Sequence, residues 1–362
     1  MNRRTFVQVL GAVPALAGPA GPSVRELYER SVVIDGLANP QSFNVPWPPQ
    51  YQPLNDEQLA AARTSGITAI NVTVNDASFE DTVSHIAFWM GEVERHAEVF
   101  CVIRNPADTQ AAKRSGRVGL MLGFQGTDVI GTDLERLVLF RRLGVRIMQL
   151  TYNTRSLAGD GCLEPGNAGV SAFGRRMVAR MNELGIAVDL GHCGTQTCLD
   201  AIAVSKQPVL ITHTGCRAVY DHPRNKPDEV LRLTAQNGGV VGIFLMPFLG
   251  TPTTKDLVLK HIEHAVAVCG IDHVGIGTDQ SITPIRETPE YMHALEMIGR
   301  ARKGMGAAAP GEDQPPYCPD LNSPRRLEMI AEELSKRGYK DADIQKIIGG
   351  NFETALSRIW RD

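Results

Sequence analysis

The chain has 362 residues and a formal net charge of −3, and it contains no basic stripe, which argues against nucleic acid as a partner. After the N-terminus no apolar run approaches the roughly 20 residues that a transmembrane helix needs, so we expect no stable membrane insertion. The seven cysteines are odd in number and scattered, which does not suggest a disulfide framework.

The N-terminus has the features of a targeting segment. Residues 2–6 are N-R-R-T-F, which resembles the twin-arginine export signal, and a mildly apolar stretch from Val7 to Leu16 follows. We therefore expect residues 1–22 to be a signal segment and the protein to be exported to the periplasm. The alternative is an ordinary frayed N-terminus. Residues 23–362 are then expected to form a single domain.

Short apolar runs rich in Val, Ile and Leu alternate with helical patterns along the chain. The eight predicted strands are Val32–Asp35, Ile67–Thr73, Val118–Phe124, Val145–Thr151, Ile186–Leu190, Val209–His213, Val240–Leu245 and His273–Thr278. A ninth run, Val99–Ile103, is predicted to be an extra edge or loop strand. This alternation predicts a (β/α)₈ barrel. A doubly wound open sheet would need a Gly-rich phosphate turn after the first strand, and D-G-L-A-N-P is not one.

The segments between and after the strands are predicted from helical spacing and from composition. Predicted helices are Asp133–Leu143, Ala172–Leu184, Arg325–Arg337, Asp341–Ile348 and a last one that opens at Gly349-Gly350-Asn351 and runs to Trp360. The Gly-, Ala- and Pro-rich segment Gly304–Pro324 is predicted to be a long surface loop. Trp47-Pro48-Pro49 is interpreted as either a lid over the barrel or a rigid loop.

Two histidines stand where predicted strands break off, His192 after the fifth strand and His213 after the sixth. A barrel keeps its chemistry at the carboxyl ends of its strands, so both would project into one pocket. Neutral imidazole is a common ligand of protein-bound metals. The alternative is a pair of hydrogen-bonded core histidines.

The other strand ends supply further polar candidates for the same mouth. They are Asp35 and Asn39 with Leu37 between them, Gln125, Tyr152 and Asp279. Two imidazoles with a carboxylate and an amide could hold one metal ion with an open position for water, whose pKa the ion would lower toward ~7. Asp279 would then carry the proton between that water and a leaving amine.

Several motifs in the same order resemble the membrane dipeptidase (renal dipeptidase) family of amidohydrolase-type metallopeptidases. The resemblance runs from about Ser31 to the C-terminus. The motifs that carry it are L-T-Y-N at 150–153, G-D-G-C-L-E at 159–164, V-D-L-G-H at 188–192, T-H at 212–213, R-N-K-P-D at 224–228 and I-G-G-N-F at 348–352.

The resemblance implies roles for individual residues. The family binds two zinc ions that a glutamate bridges, and His192 and His213 match the histidines that help to hold one of them. Arg224 matches the arginine that grips the substrate carboxylate by bidentate pairing, and its neighbour Asn225 is a further candidate for substrate binding. Asp279 matches the acidic residue that handles the proton.

The positions of the second zinc ion depart from the family pattern. Leu37 and Asn39 stand where the family has H-x-D, Gln125 stands at the bridging glutamate, and Tyr152 replaces a histidine that contacts substrate. Leucine cannot bind a metal, and neutral amides are weak zinc ligands. We therefore expect no dinuclear centre and at most one zinc ion, held by His192 and His213 with Gln125 or Asp279 as a third ligand.

Three functions remain open on the sequence alone. The first is an exported metallohydrolase that cleaves a dipeptide or another small amide with one metal ion. The second is a non-hydrolytic relative that binds a small carboxylate. The third is lyase or isomerase chemistry without metal, carried by Asp279 or Tyr152. Members of the family that the chain resembles are often homodimers, so a homodimer is expected from the resemblance alone, and the sequence leaves the oligomeric state open.

Overall fold

The computed structural model describes residues 23–44 and 51–360. The predicted signal segment at residues 1–22 and the Trp47-Pro48-Pro49 stretch therefore lie outside the described residues. Within them, no helix is both long and apolar enough to cross a membrane. The seven cysteines are all free thiols.

Eight parallel strands form the barrel, in the order β1-β3-β5-β6-β7-β8-β9-β10, and β4 pairs with β5 outside this path. The strands are β1 Ile34–Asp35, β2 Ala38–Asn39, β3 Ala69–Thr73, β4 Phe100–Val102, β5 Val118–Phe124, β6 Val145–Gln149, β7 Ala187–Asp189, β8 Leu210–Thr214, β9 Val240–Ile243, β10 Val274–Ile276 and β11 Gln280–Ser281. All eight predicted barrel strands are confirmed, and so is the extra edge strand. The short parallel pair β2–β11 was not predicted.

The helices cover the outside of the barrel. They are α1 Val24–Arg30, α2 Asp56–Ser65, α3 Phe79–Arg95, α4 Pro106–Ser115, α5 Glu135–Arg142, α6 Ala172–Leu184, α7 Thr195–Val204, α8 Asp228–Gln236, α9 Lys255–Cys269, α10 Pro289–Gly304, α11 Arg326–Lys336, α12 Asp341–Gln345 and α13 Asn351–Ile359. A π-helical turn, Lys346–Gly350, joins the last two.

Local chemistry fixes where these helices start and stop. Asn55 and Asn105 each accept a hydrogen bond from the backbone N–H three residues ahead and begin α2 and α4 with capping boxes. Both helices end on a left-handed glycine, Gly66 and Gly116, where the absence of Cβ removes the steric cost.

The first and last barrel strands meet through polar contacts. The backbone N–H of Gly36 donates to the carbonyl of Ile276 at 2.9 Å. The Asp35 carboxylate accepts from both the backbone N–H and the hydroxyl of Thr278, each at 2.7 Å. Burial raises the pKa of Asp35 to about 6, although the hydrogen bonds from Thr278 act in the opposite direction. Asp35 therefore closes the barrel, and its side chain is used there and does not line the cavity at the mouth.

The closing I-G-G-N-F motif fills the amino-terminal end of the barrel. Phe352, at the start of α13, is buried, and a Cβ built on Gly275 would lie 2.5 Å from its ring. Only a glycine on β10 therefore leaves room for this ring. The phenylalanine plugs the end opposite to the mouth.

The opposite, carboxyl end is covered by α10 and by residues 305–316, which we call the mouth loop. The predicted surface loop Gly304–Pro324 does have largely irregular structure, but the part of it that forms the mouth loop packs against the barrel. The backbone carbonyls of Ala307 and Pro310 accept hydrogen bonds from Asn153 and His222 of the barrel. The mouth loop is consequently part of the mouth, and α10 before it was not predicted.

Candidate functional site

A cavity of about 360 Å³ opens at the carboxyl ends of the strands. Its floor is polar and one wall is apolar. The lining residues are Asn39, Gln41, Ser42, Phe43, Gln125, Tyr152, His192, Arg224, Met246, Phe248, Asp279, Tyr291, Ala294, Leu295, Ile298, Arg302, Glu312 and Pro316. A concave site with an apolar wall and a few convergent polar groups is typical of small-ligand pockets.

His192 is buried and hydrogen-bonded at both ring nitrogens. Its Nε2 lies 3.0 Å from a terminal nitrogen of Arg224, and its Nδ1 lies 2.6 Å from Oδ1 of Asn153. Because a guanidinium can only donate, Nε2 accepts and the ring proton sits on Nδ1, from which it is donated to Asn153. Gly191 precedes this ring, and a Cβ there would lie 2.7 Å from Oε1 of Gln149.

His213 is also buried, and a relay of hydrogen bonds orients it. The Thr212 hydroxyl donates to the Asp189 carboxylate at 2.7 Å, so it accepts from Nδ1 of His213 at 2.8 Å. This leaves Nε2 of His213 unprotonated and without a partner among the described residues. The ring centroids of His192 and His213 are 5.0 Å apart.

Both imidazoles are neutral at physiological pH. Burial is the first reason that the pKa of each lies well below the usual range of histidine, and the charge of Arg224 is the second. The alternative of hydrogen-bonded core histidines therefore describes His192 well, and His213 only at one nitrogen.

Arg224 and Lys226 are two buried cations near His192, and of the two only Arg224 lines the cavity. Arg224 has no exposed surface, and its other terminal nitrogen donates to the carbonyl of Gly191 at 2.7 Å. Lys226 is 1 % exposed and donates to the carbonyl of Cys193. Within residues 23–44 and 51–360, neither cation has a carboxylate within 4.0 Å, and Nε of Arg224 has no hydrogen-bond partner. The floor therefore carries positive charge that no protein carboxylate contacts.

Asp279 contributes the carboxyl group that faces this positive floor. It lies between β10 and β11 with a left-handed backbone, φ 59°, which is uncommon outside glycine and tolerated best by Asp and Asn. Its N–H donates to the carbonyl of Leu37 at 2.8 Å, which holds the turn. Burial raises the pKa of Asp279 to about 7, although the nearby Arg224 acts in the opposite direction. This carboxyl can therefore exchange a proton near neutral pH.

Leu37, Asn39 and Gln125 occupy the same side of the mouth. Leu37 is buried, the side-chain oxygen of Asn39 accepts from the N–H of Gln41, and the amide nitrogen of Gln125 donates to the hydroxyl of Thr73. Asn39 and Gln125 line the cavity, whereas Leu37 does not. None of the three brings a negative charge to the mouth.

Tyr152 lies parallel to the His192 ring, with centroids 4.2 Å apart, so it covers one face of this imidazole. The guanidinium carbon of Arg302 lies 5.4 Å from the centroid of the phenol ring, and Arg302 donates to the phenol hydroxyl at 3.4 Å. Burial raises the pKa of Tyr152, and the positive charge of Arg302 opposes that rise. Tyr152 is therefore a protonated phenol at neutral pH.

Asn225 is placed differently from the other predicted site residues. Its amide nitrogen donates to the carbonyls of Tyr220 and Phe248, and its side chain is absent from the cavity lining. Because both hydrogen bonds go to backbone carbonyls, Asn225 stabilises the segment that carries Arg224 and does not present its amide to the cavity. The structure therefore gives Asn225 a supporting position and not one at the cavity surface.

The sequence reasoning missed the residues that α10 and the mouth loop contribute. Tyr291, Leu295, Ile298 and Arg302 follow helical spacing and face the cavity, and Glu312 of the mouth loop pairs with Arg302 at 2.7 Å. That spacing was the available signal, since positions i, i+4, i+7 and i+11 lie on one helix face. Met246 and Phe248 extend the apolar wall, so it is broad enough for a large apolar group.

The side chains do not form a zinc site as they are arranged. A structural or catalytic zinc ion takes three or four ligands with free lone pairs. Nε2 of His213 is free, but Nε2 of His192 accepts from Arg224. No group of three or more His, Cys, Asp or Glu among the described residues could hold a metal ion. His192 and His213 are thus brought close together and Gln125 lines the same cavity as His192, but this predicted set does not form a coordination sphere.

Comparisons with known proteins connect this mouth to one family. The model of the membrane dipeptidase family, peptidase family M19, matches residues 50–290. Dipeptidase verJ of Clonostachys rogersoniana is 31% identical over 301 residues, which cover 80% of this chain and 69% of that protein. Dipeptidase tcpJ of Claviceps purpurea is 32% identical over 292 residues, which cover 79% of this chain and 61% of that protein.

A solved structure shows the same architecture. The crystal structure of an amidohydrolase from Pseudomonas aeruginosa superposes with a TM-score of 0.80 and 32% identity, and the match covers 94% of this chain and 99% of that chain. The likeness therefore extends over nearly the whole chain and is not limited to a single motif.

Proposed function

The chain belongs to the membrane dipeptidase family, peptidase family M19, a family of dipeptidase-like and metal-dependent hydrolases with a (β/α)₈ barrel, and from this premise we propose that its mouth binds a dipeptide or a similarly small amide. The ligand that fits has a free carboxylate and one large apolar group. The observation that carries this proposal is the buried guanidinium of Arg224, which has no carboxylate partner at the floor of the cavity.

A ligand carboxylate would supply the anion that the floor lacks. Arg224 uses one N–H of each terminal nitrogen for Gly191 and His192, so its Nε–H and one further N–H on each terminal nitrogen remain for a ligand. Two parallel N–H···O bonds from one guanidinium would fix the position and the orientation of the carboxylate. The apolar side chain of the ligand would then lie against α10, where Leu295 and Ile298 line the wall.

We propose that Asp279 handles the proton if the bound amide is cleaved. With a pKa of about 7, its carboxyl group can accept a proton from an attacking water and give one to the leaving amine near neutral pH. Tyr152 and the apolar wall would keep bulk water away from the amide. The single zinc ion expected from the sequence does not fit the present arrangement of His192, so no step is assigned to it.

The second candidate function is non-hydrolytic binding of the same class of ligand. Its specific support is the hydrogen bond from Arg224 to His192, which occupies the lone pair that a metal-activated reaction would need. Both candidates share the carboxylate site, and they differ in whether an amine is released.

The experiment compares a dipeptide such as Ala-Leu with its C-terminal amide by titration calorimetry, and measures amine release in parallel with and without added Zn²⁺. We expect the free carboxylate form to bind at least about tenfold more tightly than the amide. This preference should vanish in R224Q and persist in R232Q, which removes an exposed arginine of α8. Equal affinity for the acid and the amide in the wild type would refute the proposal. Binding without amine release would select the second candidate.

We also propose that the protein reaches the periplasm through the twin-arginine route. The support is the N-R-R-T-F motif at residues 2–6 and the apolar stretch that follows it. Replacement of both arginines by lysine should retain the protein in the cytoplasmic fraction of a bacterial host. Equal periplasmic recovery of the variant would contradict this route. The homodimer remains a prediction that light scattering of the purified protein can test.

A further inference from the structure

The most unusual contact in the mouth is the one between Arg224 and His192, since it joins the two residues that the family resemblance assigns to substrate and to metal. We infer that the guanidinium of Arg224 is a resident cation at the position on His192 where a metal ion would bind, so that the mouth works without zinc at this histidine. The inference does not depend on which ligand the cavity takes.

The first support is that Arg224 is held rigidly. One terminal nitrogen donates to the Gly191 carbonyl at 2.7 Å, the other to His192 Nε2 at 3.0 Å, and its backbone N–H donates to Nδ1 of His222 at 3.2 Å. The guanidinium carbon lies 5.7 Å from the ring centroid of Phe244. A side chain with these contacts and no exposed surface is preorganised and has little freedom to swing away from the imidazole.

The second support is that His192 is set up to receive a donor. Asn153 accepts from Nδ1, which fixes the tautomer with the lone pair on Nε2. The same Asn153 donates from its amide nitrogen to the Ala307 carbonyl and to Glu312, so its orientation is determined independently of His192. The fixed lone pair is used by Arg224 rather than left free, in contrast to Nε2 of His213.

The third support is the charge of the surroundings. Leu37, Asn39 and Gln125 add no negative charge, and Arg224 and Lys226 are buried cations whose charges act on His192 and that form no ion pair with a carboxylate among the described residues. A divalent cation beside His192 would therefore meet two positive charges, which is unfavourable in a poorly solvated site. Of the carboxyl groups that line the cavity, Glu312 is paired with Arg302, and Asp279 belongs to no group of three or more residues that could hold a metal ion among the described residues. One fixed monovalent cation is compatible with the same surroundings.

A zinc-free resting state that rearranges when zinc binds would show the same hydrogen bond between Arg224 and His192, so it must be distinguished from the inferred arrangement. In such a state Arg224 would leave His192 when the ion arrives, and the metal would bind to both imidazoles. The two possibilities differ in the zinc affinity of the purified protein and in the response of the His192 nitrogens to zinc. Neither readout requires activity or a known ligand.

The test titrates the full-length protein with Zn²⁺ by calorimetry and measures the zinc retained after dialysis. We expect no retained zinc in the wild type and in R224K, which keeps a cation at this position. In R224Q the lone pair of His192 is released, and we expect zinc to bind at least about tenfold more tightly than to the wild type. About one equivalent of zinc in the wild type, lost in H192A, would overturn the inference, as would equal zinc affinity of the wild type and R224Q.

Nitrogen chemical shifts of the histidines make the test independent of variants that fail to fold. In the wild type we expect the Nε2 resonance of His192 to be that of an unprotonated, hydrogen-bonded nitrogen and to stay unchanged after addition of equimolar Zn²⁺. A zinc-induced shift of this resonance would overturn the inference even if R224Q were unstable. Failure of dipeptides to bind would refute the proposed function and leave this result untouched.

Discussion

Replacement of Asp279 by asparagine is expected to change how the stability of the protein depends on pH. The substitution removes a carboxyl group from the mouth and keeps its size, and asparagine also tolerates the left-handed backbone at this position. The side chain of Asp279 accepts no hydrogen bond from the residues that the structure describes, so the change breaks no such contact. The pKa of the carboxyl group is thus the main property that is altered.

The direction of the effect follows from the pKa. Folding raises the pKa of Asp279 from 3.8 to about 7, so the fold favours the neutral acid. The resulting stabilisation is fully present below pH 3.8 and is lost as the pH rises through about 7. At about 1.4 kcal/mol per pKa unit, the limit is about 4 kcal/mol. Because the side chain of Asp279 is only partly buried and lines the cavity, water screens part of this effect and we expect about 2 kcal/mol.

The assay is urea denaturation of the wild type and D279N between pH 4 and pH 8. The two proteins should have similar free energies of unfolding at pH 4, and D279N should be more stable by about 2 kcal/mol at pH 8. D313N, which removes an exposed carboxylate from the mouth loop, should track the wild type at every pH. A constant difference between wild type and D279N over the whole range would refute the reasoning.

Three further substitutions test other contacts. T212V should lower the free energy of unfolding by about 1–3 kcal/mol, measured by urea denaturation, because Asp189 and His213 each lose a buried partner. L295N should weaken binding of Ala-Leu about five- to tenfold and leave binding of Ala-Ala nearly unchanged, measured by calorimetry. N153A should speed amide hydrogen exchange in the mouth loop, because it removes the hydrogen bond to one of the loop carbonyls.

The barrel was predictable because parallel strands buried on both faces leave a strong signal. Runs such as Val118–Phe124 are continuous apolar segments of the length of a strand, and both bounds of this one were predicted correctly. The pair β2–β11 was not predictable in this way. Its strands have two residues each, Ala38–Asn39 and Gln280–Ser281, and two residues carry no periodicity.

The site was predictable only as far as it sits on strand ends. His192, Asp279 and Gln125 follow barrel strands, and the fold directs such residues to one mouth. The apolar wall that α10 contributes depends on where this helix packs after the last barrel strand. Helical spacing shows which residues share a face of the helix, but it does not show what that face packs against. The hydrogen bond between Arg224 and His192 could not be predicted from the sequence either. The two residues are 32 positions apart, and a long arginine side chain can adopt several orientations at a given backbone position.

The positive charge of Arg224 opposes the rise in the pKa of Asp279, and this has a consequence for ligand binding. A carboxylate bound at Arg224 would bring negative charge near Asp279 and raise the pKa of its carboxyl group further above about 7. Binding above that pH would then take up a proton, and affinity for a carboxylate ligand should fall as the pH rises from 7 to 9. Calorimetry of Ala-Leu in two buffers of different ionisation enthalpy measures the proton directly. In D279N the uptake should disappear while binding remains, and proton uptake that persists in D279N would show that another group titrates with the ligand.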